Sequence, residues 1–375
     1  MINLDIVRTY YPYLQTGKIY FNHAAISPFS SLIIKRINDY LLERSLTHIE
    51  DYDNTEKTIL SAKSKIGKMI NTLPDRIAFL DNTSNGLNII AQGIKWEHGD
   101  RIILNDIEFP SNVYPFLNLR AQGVEIDFVK SRNGIVRSED IISAIKPTTK
   151  LISISSVQFL SGYRADLEMI GEICKKNNII FSVDAIQELG ALRLDVQKCN
   201  IDFLACGTQK WLMGLQGLAF VYISEILQDS LSHKFVGWTS VENPWTLLNY
   251  DLVLKKSADA FQNGTISIIG VHGLDEALGL FLSLGLDNIE SQILNNTTYL
   301  MTKLREKGIE PVLHNCTPDN LSGIVTIKPQ NPKKVFDNLS NRNIICSLRE
   351  GMIRFSPHYY NTTWEIDTVV ESVSE

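Results

Sequence analysis

The sequence predicts an α/β fold: a large domain with a mostly parallel sheet flanked by helices, followed by a smaller C-terminal α+β domain. Three observations carry this. From about Arg101 onward, short β-branched runs alternate with helical patterns, the mark of βα units around a parallel sheet. After the proline- and tryptophan-containing stretch 236–245 the pattern changes to a long apolar helical region. At 375 residues the chain also exceeds one simple core and fits two packed units. Residues 20–255 are read as the large domain, and residues 256–375 together with 1–19 as the small one.

The strands expected in the large domain are 101–104, 125–129, 151–155, 179–184, 203–206 and 218–223. Between the third and fourth, Leu167, Ile170, Ile173 and Cys174 repeat at helical spacing over 167–176, and Asp166 is placed to cap that helix. The unit is a right-handed crossover by default. In the second domain, apolar helical patterns run over 268–284 and 289–304. They are followed by a strand over 321–327, a helix opened by Pro332 after Asn331, strands over 344–348 and 352–355, and a closing helix. Thr362 and Glu365 have the T-x-x-E spacing of a capping box for that last helix. No internal repeat or low-complexity tract interrupts the chain.

Composition narrows the class. Hydrophobic residues at 44% and charged residues at 21% are ordinary for a folded globular protein. Thirty-six basic against 42 acidic residues give a formal charge of −6, which argues against a general binder of nucleic acid or acidic membranes. Residues 1–15 lack a basic segment followed by an apolar run and do not read as a secretory signal. The most apolar stretch, 277–286, is far short of the roughly 20 residues a membrane helix needs. Cys174, Cys199, Cys206, Cys316 and Cys346 show no paired spacing, so neither a disulfide framework nor a metal site is expected, and a reducing cytoplasm is the default.

The segment Phe181-Ser182-Val183-Asp184-Ala185-Ile186-Gln187 is an apolar strand ending in a carboxylate and then an amide. Ligands of open parallel sheets sit at the carboxyl ends of strands, so Asp184 is placed for chemistry, although an aspartate there can also simply cap a helix. Cys206-Gly207-Thr208-Gln209-Lys210-Trp211 puts a lysine after a second apolar strand, where a solvated loop lysine is the plainer alternative.

Read together, these segments resemble the fold-type I pyridoxal-phosphate (PLP) enzymes, specifically the class V aminotransferase and cysteine desulfurase-like group. The resemblance extends along nearly the whole chain. It is carried by Tyr20-Phe21-Asn22-His23-Ala24-Ala25, Asn82-Thr83-Ser84-Asn85-Gly86, Glu108-Phe109-Pro110-Ser111-Asn112, Val157-Gln158, Gly162-Tyr163-Arg164, Val183-Asp184-Ala185-Ile186-Gln187, Gln209-Lys210-Trp211, Gly264-Thr265 and Arg354-Phe355-Ser356-Pro357-His358. Their order and spacing are more specific than any single match.

The resemblance implies pyridoxal 5'-phosphate as cofactor, bound to Lys210 as a Schiff base. The chemistry suits these residue types. A carboxylate at Asp184 favours a protonated pyridine nitrogen by roughly 1–3 pK units. An amine of lowered pKa at Lys210 can form the imine and, once displaced, shuttle the α-proton. Gln187 is implied to donate to the phenolic oxygen of the ring, with Gln158 approaching the same edge. Thr83 and Ser84 open a helical pattern whose free N–H groups suit a phosphate, although they also read as a plain N-terminal cap. Phe109 stands where the family places an aromatic ring over the cofactor, frequently a histidine. A phenylalanine there stacks without acid–base capacity.

Thr208 stands where the family often has glycine and Gln209 where it often has histidine; both can hydrogen-bond to phosphate. Thr265 resembles the residue that reaches the phosphate of a neighbouring subunit, which implies a homodimer with shared active sites. Arg354 resembles the arginine that holds the substrate α-carboxylate, with Arg349 as a second candidate. Asn22 and His23 are expected near the entrance of the substrate pocket, or in a turn held by structural hydrogen bonds.

The reaction is the least legible part, because PLP is the electron sink and the protein selects the bond that breaks. A cysteine desulfurase needs a nucleophilic cysteine on a loop, yet only Glu350, Gly351, Met352 and Ile353 lie between Arg349 and Arg354. Cys346 falls in an apolar strand pattern, where a buried inert thiol is expected. Aminotransfer between an amino acid and a 2-oxo acid therefore leads. A thiol-independent C–S lyase or an amino-acid epimerase is the alternative, and a cofactor-binding protein without turnover is a further one. Loops at 24–28 and 238–245 are expected to set specificity, with Trp238, Trp245 and Tyr250 either shaping the pocket or packing between domains.

Overall fold

The computed structural model describes residues 2–374. Its strands in chain order are β1 (Ile19–Tyr20), β2 (Ile77–Leu80), β3 (Arg101–Asn105), β4 (Glu125–Val129), β5 (Thr149–Ser155), β6 (Ile180–Asp184), β7 (Phe203–Gly207), β8 (Ala219–Ile223), β9 (Val325–Ile327), β10 (Ile344–Ile345), β11 (Ser347–Arg349) and β12 (Met352–Phe355). Seven of these form the main sheet in the order β2-β8-β7-β6-β5-β3-β4. Pairs β3–β4, β3–β5, β5–β6 and β6–β7 are parallel, and only β8 runs against its neighbours. The expected α/β architecture with a mostly parallel sheet is thus the observed one.

Helices cover both faces of this sheet, which is why its central strands are near-continuous apolar runs rather than alternating ones. One core joins Ile103, Ile152, Ile154, Phe181, Val183 and Leu204 to helix Tyr52–Ile70 and helix Leu167–Lys176; the other joins Ile102, Leu104, Leu151, Phe203 and Val221 to helix Thr83–Gly93. Asp166 caps the crossover helix as expected, accepting from Met169 N at 3.0 Å. Glycine is required within it, since a Cβ on Gly171 would lie 1.8 Å from the Cys199 carbonyl oxygen. Helix Ile268–Leu284 buries Val271, Leu274 and Leu278 in the first core. No single helix among the described residues is long and apolar enough to cross a membrane.

A third core gathers Phe21, Leu300, Leu304, Leu339, Ile353, Phe355, Ile366 and Val369. It lies under a three-stranded antiparallel sheet of order β11-β12-β9. The closing helix Thr363–Ser374 carries the predicted capping box: Thr362 N donates to Glu365 Oε2 at 2.8 Å and Glu365 N to Thr362 Oγ1 at 3.3 Å. Two expected strands differ. The stretch 344–348 is divided at Cys346, because Ile344 and Ile345 pair with β1 whereas Ser347 onward pairs with β12. The stretch 321–327 narrows to Val325–Ile327, since its first residues dock on the loops after β5 and β7: Ser322 Oγ donates to Gly162 O at 2.7 Å, and a Cβ on Gly323 would meet the Trp211 ring at 2.4 Å. Strand β2 was absent from the sequence reading; its four residues are too short to show a period.

Candidate active site

The order of the main sheet reverses between β3 and β5, and the segments carrying chemistry follow strands beside that switch point. Asp184 is the last residue of β6, Lys210 follows β7, Gln158 follows β5, and Glu108 and Phe109 follow β3. Parallel pairing aligns these ends, with Ser155 opposite Asp184 and Asp184 opposite Ala205.

Asp184 is 1% exposed. Its Oδ1 accepts from Ile186 N at 3.0 Å, while Oδ2 is buried without a partner. Burial pushes the carboxyl up to about 6, opposed by the Ile186 amide and by Lys210, with Glu108 adding to the rise. Lys210 is drawn down to about 8, first by burial and then by Arg354 and Arg349, against the pull of Asp184. Its ammonium lies 5.6 Å from the centre of the Phe109 ring, and that ring meets Phe159 edge-on at 5.3 Å. Lysine, aspartate and phenylalanine are therefore brought together at the ends of β7, β6 and β3.

Gln187 is wedged between two other segments. Trp211 Nε1, a donor only, points at Gln187 Oε1 at 2.9 Å, and this turns the amide nitrogen to the Ala24 carbonyl at 3.1 Å. Gln158 is oriented by Glu108, which takes its Nε2 at 3.0 Å and leaves Oε1 buried without a partner.

The phosphate candidates divide. Helix Thr83–Gly93 starts beside the lysine loop, with Asn82 capping Asn85 N at 2.9 Å and Ser84 Oγ donating to Ser111 Oγ at 2.8 Å. A Cβ on Gly207 would sit 3.1 Å from Thr83 Oγ1, 2.8 Å from Gln209 Oε1 and 2.9 Å from Ile186 Cδ1, so that glycine keeps open a point where three segments converge. Thr208 is not part of that opening: fully buried, its hydroxyl faces its own loop, within 2.8 Å of the Leu215 and 3.0 Å of the Leu218 carbonyl oxygen. Thr265 lines a separate cleft of about 510 Å3 with Asp81, Asn85, Asn88 and Lys234, which neither Lys210 nor Asp184 lines.

Arg354 is 1% exposed. Its Nη1 donates to Phe159 O at 2.6 Å, and its Nε and Nη2 are buried without partners. Burial, then the charge of Arg349, pulls the guanidinium down to about 9. Arg349 likewise has its Nε buried and unpartnered.

His23 does not stand at an entrance. It is fully buried, with Nδ1 2.8 Å from Ser356 O and Nε2 2.6 Å from the Tyr360 hydroxyl, and burial holds it down to about 3 as a neutral ring. Asn22 bridges to Ser356 and accepts from Ser347 Oγ, so both residues tie the start of the chain to β11 and the end of β12. Trp245 packs edge-on against Tyr52 and Trp238, and Tyr250 is 86% exposed.

Sequence reasoning missed the part played by Glu108. Buried after β3, it accepts from Ser155 N at 2.8 Å, Gln158 Nε2 at 3.0 Å, Asn112 Nδ2 at 3.1 Å, Asn105 Nδ2 and Ser155 Oγ. Its sequence signal is a carboxylate between two apolar residues, Ile107 and Phe109, inside one of the segments that carry the resemblance, with nothing there to show its role. Arg164 was also left without a role: it bonds buried Glu188 at 3.1 Å and Glu290 at 3.2 Å, joining the sheet to helix Leu286–Glu306.

The buried acceptor on Asp184, the lysine beside it and the unpartnered guanidinium edge fit a flat cationic ring and an anionic substrate. An α/β protein so equipped is built to hold an aromatic aldehyde cofactor against an amino compound. The chain belongs to the aminotransferase class-V family of PLP-dependent enzymes, whose model matches residues 19–369, and its cofactor is pyridoxal 5'-phosphate. It is 27% identical to the uncharacterized aminotransferase YcbU of Bacillus subtilis, over 98% of this chain and 96% of that protein. It is 28% identical to a probable cysteine desulfurase of Methanothermobacter thermautotrophicus, over 95% of this chain and 94% of that one. Its fold is shared with the apo cysteine desulfurase of Thermococcus onnurineus NA1, with a TM-score of 0.89 and 23% identity over 99% and 97% of the two chains.

Proposed function

We propose that this enzyme is an aminotransferase: it takes the amino group of an amino acid, releases the 2-oxo acid, and works as a cytoplasmic homodimer in which Thr265 serves the neighbouring subunit's phosphate site. When bound, PLP supplies the electron sink that lets a bond at the α-carbon break. The residues of the chain do the rest. Lys210 carries the cofactor and, being desolvated, moves the α-proton near neutral pH. Asp184 Oδ2 would hold the proton on the ring nitrogen, Gln187, with one amide N–H on the Ala24 carbonyl, would have its second N–H for the ring, and Arg354 would present its Nε and Nη2 edge to the α-carboxylate.

The observation that carries the choice of reaction is the state of the thiols. Cys206, nearest Lys210, is fully buried, with its thiol pushed well up by burial; Cys346, beside the arginine hairpin, is buried and pushed up to about 12. Neither suits a nucleophile that must accept sulfur, because the thiolate is the reactive form. The test is a panel of amino acids added to the PLP-loaded enzyme, with the cofactor spectrum and released 2-oxo acid followed together. Absence of the pyridoxamine form across the panel would refute aminotransfer, and sulfur from cysteine appearing on Cys346 would point to desulfuration. The same lack of a poised thiol favours a thiol-independent C–S lyase as second reading, separated by release of sulfide with pyruvate. Inversion at the α-carbon would mark an epimerase.

A further inference from the structure

Arg349 and Arg354 lie on one face of the small antiparallel sheet. Ser347 of β11 pairs directly with Arg354 of β12, and Arg349 is two residues further along β11, so it points the same way as Ser347 and is the diagonal neighbour of Arg354. Such neighbours are spaced by roughly 7–8 Å. The face is turned toward the lysine side of the molecule: Arg354 Nη1 bonds Phe159 O, Thr326 in the same row bonds Leu160 O, and Phe159 packs on the Phe109 ring beside Lys210.

Two guanidinium groups thus face one space, and neither has an acidic partner among the described residues. For Arg354, which is buried, such a charge is costly unless paired; Arg349 is buried only in part. The Nε and Nη2 atoms of Arg354 form one complete fork edge, and a single carboxylate occupies it fully. That leaves the buried Nε of Arg349 without an anion. Arg349 stands nearer the hairpin tip, where Glu350 and Gly351 turn the chain with φ of 47° and 72°, and it is less buried than Arg354.

We propose that Arg349 is a specificity residue for an anionic side chain, so that the substrate is an acidic amino acid with its α-carboxylate on Arg354 and its distal carboxylate on Arg349. This rests on the reading of Arg354 as the α-carboxylate site. Succinate and butyrate, acids of equal chain length that carry two carboxylates and one, test it by calorimetry on the PLP-loaded enzyme. Succinate is expected to bind about tenfold or more tighter than butyrate, as one charge-assisted contact implies. R349Q should bring the two within about threefold, and R349K should restore part of the gap. Equal binding by the wild type, or a preference that survives R349Q, overturns the second-anion site. Butyrate binding unchanged by R354K overturns the α-carboxylate reading instead. A melting curve for each variant shows that it is folded, and R349Q, at a partly exposed hairpin position, tests the site without disturbing the core.

Discussion

Two buried carboxylates stand at the same sheet edge, and their surroundings are opposite. Glu108 is 7% exposed and Asp184 1%, so burial does not distinguish them. Glu108 accepts from Ser155, Gln158, Asn112 and Asn105, residues drawn from β3, β5 and the loops after them. Asp184 accepts from one backbone amide and keeps Oδ2 empty-handed. A buried acceptor without a donor is expensive, whereas one with several is a structural tie. The difference teaches that burial alone marks neither scaffold nor chemistry; what separates these two carboxylates is the hydrogen bond that Asp184 leaves unmet.

The largest effects lie on the Asp184 side. K210A is expected to lower turnover by roughly a thousandfold or more, because both the covalent anchor and the proton carrier go. Borohydride reduction followed by mass measurement should find PLP fixed to the wild-type chain and not to the variant. D184N should lower kcat by about a hundredfold, the scale of a lost pK preference of 1–3 units at the ring nitrogen. Its stability should move the other way. In the cofactor-free protein the folded carboxyl, at about 6, lies above its ordinary value of 3.8, so the native state holds more protons than the unfolded one between these values. Stability from Asp184 is therefore lost as pH rises from about 4 to about 6. The difference in Tm between D184N and wild type should grow in the variant's favour across that window; a difference independent of pH would break the comparison.

Glu108 should behave in reverse. E108Q keeps the shape but turns an amide NH2 toward groups that are themselves donors, and bonds to a charged acceptor are each worth about 1.5–3 kcal/mol. A loss of about 2–3 kcal/mol in denaturant unfolding is expected, with kcat falling only severalfold through displacement of Gln158 and Phe109. Loss of turnover without loss of stability would move Glu108 from scaffold to chemistry.

The unequal legibility of the two carboxylates has a physical cause. Asp184 could be read because it ends an apolar strand, and the inner strands β3 and β5 to β7 could be read because a sheet covered on both faces writes itself as apolar runs. Lys210 and Arg354 followed from ordered matches along the chain. Glu108 could not be read, since its donors come from positions up to 50 residues away that meet only when β3 and β5 pair. For His23 the sequence left a pocket entrance and a structural turn open for the same reason, and the second is observed: its partners, Ser356 and Tyr360, lie more than 330 residues further on. Thr208 carries a hydroxyl suited to phosphate, and only the folded loop shows that its own carbonyl oxygens surround it.

The smallest effect tests whether Phe109 belongs with the tie or with the chemistry. Its ring contacts Phe159 edge-on and lies beneath the Lys210 ammonium, yet it has no proton to give or take. An aromatic pair of this geometry is worth about 0.5–1.5 kcal/mol beyond the area it covers. F109L should therefore weaken retention of PLP by about two- to tenfold, the same energy expressed as an equilibrium ratio. The pH dependence of kcat should stay close to where Lys210 sets it, because leucine keeps an apolar side chain beside the lysine and leaves in place the charges of Asp184, Arg349 and Arg354 that act on it. Spectral titration of PLP into the apo-protein measures the first and a pH series at saturating substrate the second. A displaced pH profile with unchanged retention would mean that the ring acts on the lysine rather than on the cofactor.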